Sequence, residues 1–234
     1  MKNIIGLICA RSGSKGIKNK NLIKLSGKNL LSTAIKVGKK SKYIKEIYVS
    51  TDSKKIAAEA KKSGAIVPFL RPKNLSKDNT PEFLVWRHAV NYLENVKKLK
   101  IDLIVNLPCT APFRKKEDID KCIKKSISKN LDVVFTASDS YRNPYFNMIE
   151  SKNNKISLIC KKQKRYFRRQ DAPVCYDLNT VCYVLKNKFI KKNNNLFSGK
   201  IDFVKIPKAR SLDIDEKLDY KIAKLMAKNK SILK

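Results

Sequence analysis

The sequence predicts an α/β fold: a doubly wound, mostly parallel sheet with helices on both faces. Three observations carry this expectation. Short apolar runs alternate with longer amphipathic stretches, so the hydrophobic period switches repeatedly between buried strand and helix. The first apolar run feeds directly into a basic, glycine-containing loop, and open α/β sheets hold their ligands at the carboxyl ends of strands. A length of 234 residues with 42% hydrophobic content is enough for one domain spanning 1–234.

Taken in order, Asn3 to Ala10 (NIIGLICA) reads as a fully buried strand, followed by a helical pattern over Leu30 to Ser41. Glu46 to Ser50 is a second strand, and Ser53 to Ser63 a helix that Gly64 stops. Ala65 to Leu70 is expected as a third strand. Pro81 to Lys98 is a longer helix, with Thr80 as N-cap and Pro81 at the first helical position. Ile101 to Asn106 is a fourth strand, Lys116 to Lys129 a helix and Asp132 to Ala137 a fifth strand. From 139 to 175 the pattern breaks: Pro144, Pro173 and short β-like pieces replace a crossover helix. Such an excursion reads as an inserted β-rich arm, serving as a dimer contact or a lid over the site. Thr180 to Leu185 and Ile201 to Ile206 return to strand patterns, and Glu216 to Lys228 closes the chain as an amphipathic helix.

The charge admits several partners. Lys and Arg total 53 against 20 acids, a formal +33, which suits a nucleic-acid binder, a membrane-surface protein or an enzyme of anionic substrates. Only nine of the cations are Arg, and the 44 Lys are spread along the whole chain. Nucleic-acid modules gather their basic residues on one face and interleave aromatics or Arg. The longest basic neighbourhood here, Lys161 to Arg169, is short and falls in the arm. No run of eighteen apolar residues exists and the amino terminus does not pattern as a signal peptide, so a cytoplasmic protein without membrane contact is expected. Six cysteines form no C-x-x-C pair and His88 is the only histidine, which argues against a zinc site.

The loop after the first strand, Arg11-Ser12-Gly13-Ser14-Lys15-Gly16, runs on to Lys18-Asn19-Lys20-Asn21. Glycines let a backbone approach a ligand closely, while Arg11, Lys15 and Lys20 supply cationic donors. That set suits a polyphosphate, although it matches neither G-x-x-x-x-G-K-[ST] nor G-x-G-x-x-G, and a simple surface turn is the competing reading.

Read together, ICARSGSKGIKNKNL, VSTD (49–52), VPFLRP (67–72), LPCTAPFR (107–114), RRQDAP (168–173) with Asn179 and Tyr183, and SLDIDEKLD (211–219) follow one another in order. Over almost the whole chain this series resembles the CMP-sialic acid synthetase family, the acylneuraminate cytidylyltransferases, whose fold is of the nucleotide-diphospho-sugar transferase type. The resemblance implies transfer of CMP from CTP to the C2 hydroxyl of an acidic nine-carbon α-keto acid sugar, with Mg²⁺ as cofactor and a homodimer as the assembly. Carried over by position, Arg11, Ser12, Gly13, Lys15, Lys20, Asn21 and Arg71 fall on the nucleotide, with Arg11 and Lys15 on its triphosphate and active in catalysis. Asp213 and Asp215 fall on the magnesium-binding carboxylates, and Asp215 is also the candidate proton acceptor. Asp-x-Asp on an extended segment does let two carboxylates converge on a hard cation. Without the resemblance, the same acids read equally as a helix N-terminus. Arg169 and Gln170 match the sugar-binding pair, Arg169 as a fork for the acceptor's carboxylate, and Tyr176 matches an aromatic position shaping that pocket.

One position departs from the pattern. Pro108 stands where many sialic acid synthetases carry a Gln that helps position ribose or acceptor. That departure, with RNPYFN (142–147) and RQDAPVCYD (169–177), brings the chain nearest to the bacterial branch making CMP-legionaminic acid. CMP-N-acetylneuraminate or CMP-pseudaminate synthesis is the alternative, and a basic nucleic-acid-binding protein the more distant one.

Overall fold

The computed structural model describes residues 2–160 and 166–233. Strand β1 (Ile4–Cys9) is followed by the two-residue pair β2 (Lys24–Leu25) and β3 (Lys28–Asn29), then helix α1 (Leu30–Lys39). The chain continues through β4 (Ile47–Ser50), α2 (Lys54–Lys62), α3 (Glu82–Asn95), β5 (Leu103–Asn106), α4 (Lys116–Ser128) and β6 (Val133–Asp139). A hairpin follows, β7 (Ile149–Lys152) and β8 (Lys155–Leu158), and then β9 (Tyr176–Lys186), α5 (Asn187–Lys192), β10 (Ile201–Lys205) and α6 (Lys217–Lys228).

Among the described residues the main sheet has six strands in the order β10-β6-β9-β5-β1-β4. All pairings are parallel except those of β9, which lies antiparallel between β5 and β6. The alternation inside β1 shows why the sheet sits in the middle. Ile4 and Ile8 join the core cluster with α1, α2, α4 and α6, while Ile5 and Leu7 join the opposite cluster with α3 and α5. A strand apolar on both faces needs helices on both faces.

Two expectations are corrected. Ala65 to Leu70 runs beside β4 but makes only isolated parallel bridges, Tyr48 to Ile66 and Thr51 to Leu70. Ile66 N donates to Ile47 O and Ile66 O accepts from Val49 N, after which Pro68 has no N–H to continue the ladder. Helix α3 begins at Glu82 rather than Pro81; Pro81 takes the N-cap position with ψ 134°, and no side chain caps the end. Thr80 instead points its hydroxyl at Asn74 O. The expected stop at Gly64 is present, with φ +83°, and Ser53 caps α2 by accepting from Ile56 N.

Excursion 139–175 carries the β7–β8 hairpin outside the main sheet. Cys109, Cys122 and Cys182 are buried, and all six cysteines are free thiols.

Candidate active site

The loop after β1 is fixed from two sides. Ser12 donates its amide and its hydroxyl to the two carboxylate oxygens of Asp52, at 2.9 and 2.7 Å. Burial alone would raise the Asp52 carboxyl; the Ser12 bonds hold it below the usual carboxylate range. On the other side the buried Asn21 donates Nδ2 to Arg11 O at 3.0 Å, just after Asn19 turns the chain with φ +56°. Gly16 shows how closely the loop approaches the acidic segment: a Cβ there would lie 2.3 Å from the carbonyl oxygen of Asp215. Only glycine permits that contact.

Between loop and sheet lies a cavity of about 470 Å³ at the carboxyl end of β1. It brings together Arg11, Lys15, Lys20, Asn21, Arg71 and Asp215. Lys20 Nζ reaches Asp215 Oδ1 at 2.5 Å. Arg71 is almost fully buried, its Nε donating to Ser76 Oγ at 3.1 Å and its amide to Thr51 O at 2.7 Å. Cys9 and Cys109 also line the cavity, and burial pushes both thiols up to about 12, which keeps them neutral. Ser12, Gly13 and Asp213 do not line it; Ser12 anchors the loop from behind, and Gly13 lies against the Arg11 guanidinium.

The acidic segment is held by packing on both flanks. Ile214 is fully buried and donates its amide to Thr110 O at 2.9 Å, leaving Asp213 and Asp215 on either side of that anchor. Asp213 Oδ1 is buried without a hydrogen-bond partner among the described residues. Burial pushes its carboxyl above the usual range, opposed by the Thr110 and Thr180 hydroxyls, while the neighbouring Asp215 charge adds to the rise. Glu216 is the N-cap of α6, and Asp219 Oδ2 accepts from the amides of Asp215 and Glu216 at 3.0 and 2.8 Å. The acids therefore divide: Glu216 and Asp219 start the helix, while Asp213 and Asp215 precede it. Before them, Arg210 forks onto Asp118 at 3.1 and 2.7 Å, a nearly buried pair that ties the segment to α4.

A second cavity of about 380 Å³ lies at the root of the arm and contains Arg169 and Gln170 together with Asp139, Ser140, Arg142 and Asn143. Arg169 Nη2 donates to Ser140 O at 2.6 Å. Tyr176 is not brought into it; its ring packs on Phe203 with centroids 4.7 Å apart. Of the basic run Lys161 to Arg169, residues 161–165 lie outside the described residues, and Arg168 pairs with Asp171 at 2.9 Å.

The sequence model of the cytidylyltransferases matches residues 5–232. The chain belongs to the cytidylyltransferase family. Two relatives, each 35% identical over 99% of this chain and 98% of their own length, are the CMP-N,N'-diacetyllegionaminic acid synthase of Campylobacter jejuni and the post-translational flagellin modification protein B of Campylobacter coli. Among solved structures, CMP:2-keto-3-deoxy-manno-octonic acid synthetase complexed with CTP superposes with a TM-score of 0.70 over 97% of this chain and 99% of its own, at 14% identity, a likeness of fold. This cytidylyltransferase has no helix, among the described residues, long and apolar enough to cross a membrane. Its cavity also contains groups that the motifs do not announce: Asp78 and Glu82. Asp78 was detectable only as an acid in an acid-poor stretch, because its partners are more than sixty residues away in sequence.

Proposed function

We propose that this cytidylyltransferase transfers CMP from CTP to the C2 hydroxyl of a nine-carbon α-keto acid sugar of the legionaminic type, releasing pyrophosphate. The observation that carries the reading is the convergence of Arg11, Lys15, Lys20, Asn21, Arg71 and Asp215 on one cavity beside β1. The similarity to a CMP-N,N'-diacetyllegionaminic acid synthase supports the acceptor class.

In this reading Arg11 and Lys15 bind the β- and γ-phosphates, and Arg71 and Asn21 hold the nucleoside end. The C2 oxygen forms a bond to the α-phosphorus as the bond to pyrophosphate breaks, and the hydroxyl proton passes to Asp215. Lys20 engages Asp215 Oδ1. Alignment and charge neutralisation dominate such a transfer. The donor set fits Mg²⁺, a hard cation that takes oxygen ligands and shares them with substrate phosphates. Asp213 offers a buried carboxylate whose Oδ1 lacks a well-aligned hydrogen-bond partner, beside the Thr110 and Thr180 hydroxyls, and Asp215 lies one residue beyond the buried Ile214. When bound, the ion would neutralise charge on the transferring phosphate.

Arg169 and Gln170 are the acceptor-binding residues of this proposal. The acceptor cavity adjoins the arm, whose hairpin exposes Ile149 at 64% and Ile156 at 71%. A second copy of the chain is the partner that would cover them, giving a homodimer in which the arm borders the acceptor site. Light scattering is expected to give twice the chain mass of 26.8 kDa at micromolar concentration; a monomer would remove the dimer.

The deciding experiment is CTP- and Mg²⁺-dependent pyrophosphate release across a panel of nonulosonic acids. Legionaminic-type acids are expected to turn over about tenfold or more faster than N-acetylneuraminic or pseudaminic acid, the scale on which a well-placed contact discriminates. Equal or reversed preference would reassign the acceptor, and no release with any acid would reject the reaction.

A further inference from the structure

Asp78 sits in the segment between Arg71 and α3 and lines the same cavity as the nucleotide loop. One of its carboxylate oxygens pairs with Arg11 Nη1 and the other with Lys15 Nζ, at 2.6 Å for the lysine. Both cations come from the loop after β1 and both turn to this one carboxylate. Lys15 is otherwise 81% exposed, so no packing fixes its direction. The pairing is strong enough electrostatically to hold the Asp78 carboxyl below the usual range, through Lys15 first and then Arg11.

We propose that Asp78 is a positioning residue that stands in for the triphosphate, occupying Arg11 and Lys15 while the nucleotide site is empty and being displaced when polyphosphate enters. The proposal rests on the reading of Arg11 and Lys15 as triphosphate ligands. The physical argument concerns compensation of charge. Arg11, Lys15, Lys20 and Arg71 face one cavity in a chain of net +33. Left bare, these cations would repel one another and retain any polyphosphate, the pyrophosphate product included. Instead, Lys20 is paired with Asp215, and Arg11 and Lys15 share Asp78. Exposed pairs of this kind are individually weak, so the incoming triphosphate can break them. Asp78 then remains beside the bound anion as a like charge, and it recaptures the two cations when pyrophosphate leaves. Its sign is therefore definite: it lowers affinity for CTP and for pyrophosphate, and it leaves a ligand lacking the β- and γ-phosphates unaffected.

The test is calorimetric titration of wild type and Asp78→Asn with CTP, CMP and pyrophosphate in EDTA, with Arg11→Ala as reference. Asp78→Asn is expected to bind CTP and pyrophosphate about three- to tenfold more tightly, the scale of one or two exposed ion pairs, with CMP moving less than about twofold. Unchanged or weaker CTP binding would overturn the proposal, as would an equal tightening of CMP, because neither follows from competition for the triphosphate cations. Arg11→Ala separates the two levels: it is expected to weaken CTP binding, and if it does not, the assignment of the loop to the triphosphate fails whatever Asp78→Asn does.

Discussion

Asp213→Ala is expected to lower CMP transfer by about a thousandfold or more, the scale on which a lost metal ligand removes charge stabilisation from the transition state. The fold is expected to survive intact. The two consequences separate because groups other than the Asp213 side chain hold the backbone of this segment. Asp213 Oδ1 is buried without a well-aligned partner, with the Thr110 and Thr180 hydroxyls beside the carboxylate, so the folded protein bears much of the cost of desolvating it. The backbone around it is held by other groups: Ile214 in the core, the bond from Ile214 N to Thr110 O, and the Asp219 carboxylate on the amides of Asp215 and Glu216. Thermal melts followed by circular dichroism in EDTA should therefore give a midpoint close to that of the wild type. Mg²⁺ should protect the wild type from unfolding and leave the variant unmoved, since an ion that binds only the native state stabilises it. Near-wild-type turnover in Asp213→Ala would remove the assignment of the carboxylate to the metal. A midpoint many degrees lower would show that Asp213 is structural after all.

What the sequence disclosed and what it withheld follow from the range of the forces involved. Buried strands such as Ile4–Cys9 and capped helices such as Lys54–Lys62 are local patterns, and a reader of local patterns finds them. The cluster of cations in the loop after β1 was legible for the same reason, since Arg11 to Asn21 form one short stretch. Strand direction is not a local property: Tyr176–Lys186 has the hydrophobic pattern of any buried strand, and only the route taken through the arm returns it antiparallel between β5 and β6. Pro68 was in plain view, but its effect depends on which neighbour would have accepted the missing bond. Asp78 lay in the polar stretch Ser76 to Thr80, and it acquires meaning only when Arg11 and Lys15 are brought to it. Tyr176 illustrates the converse: a residue whose position matched a family pattern, yet whose ring packs on Phe203 away from the Arg169 cavity.

The second large effect is expected at Asp118, a residue in neither cavity. Its carboxylate is 1% exposed and performs two tasks: it accepts from Lys115 N at 2.9 Å at the N-terminus of α4, and it receives the Arg210 fork. Asp118→Ala would leave the Arg210 guanidinium, itself nearly buried, without its counter-charge, and removing one member of a buried pair costs about 3–5 kcal/mol. The lost cap adds about 1 kcal/mol. For a chain of this size the melting midpoint should fall by about 10 °C or more. The loss should also reach the chemistry, because Arg210 lies three residues before Asp213 and anchors the segment that presents both carboxylates. Below the new melting point, Mg²⁺ activation should therefore require a higher ion concentration while acceptor KM is unchanged. A matched control isolates the cause. In Asp118→Ala/Arg210→Met the Arg210 guanidinium is no longer left buried without its counter-charge, so the double variant should be more stable than Asp118→Ala alone, short of wild type by the cap and by the Asp118 charge that also faces the buried Arg114. It should still need more Mg²⁺, because the tether is absent in both variants. If the double variant is instead the less stable of the two, Arg210 is held by contacts other than Asp118 and the tether does not position the metal segment.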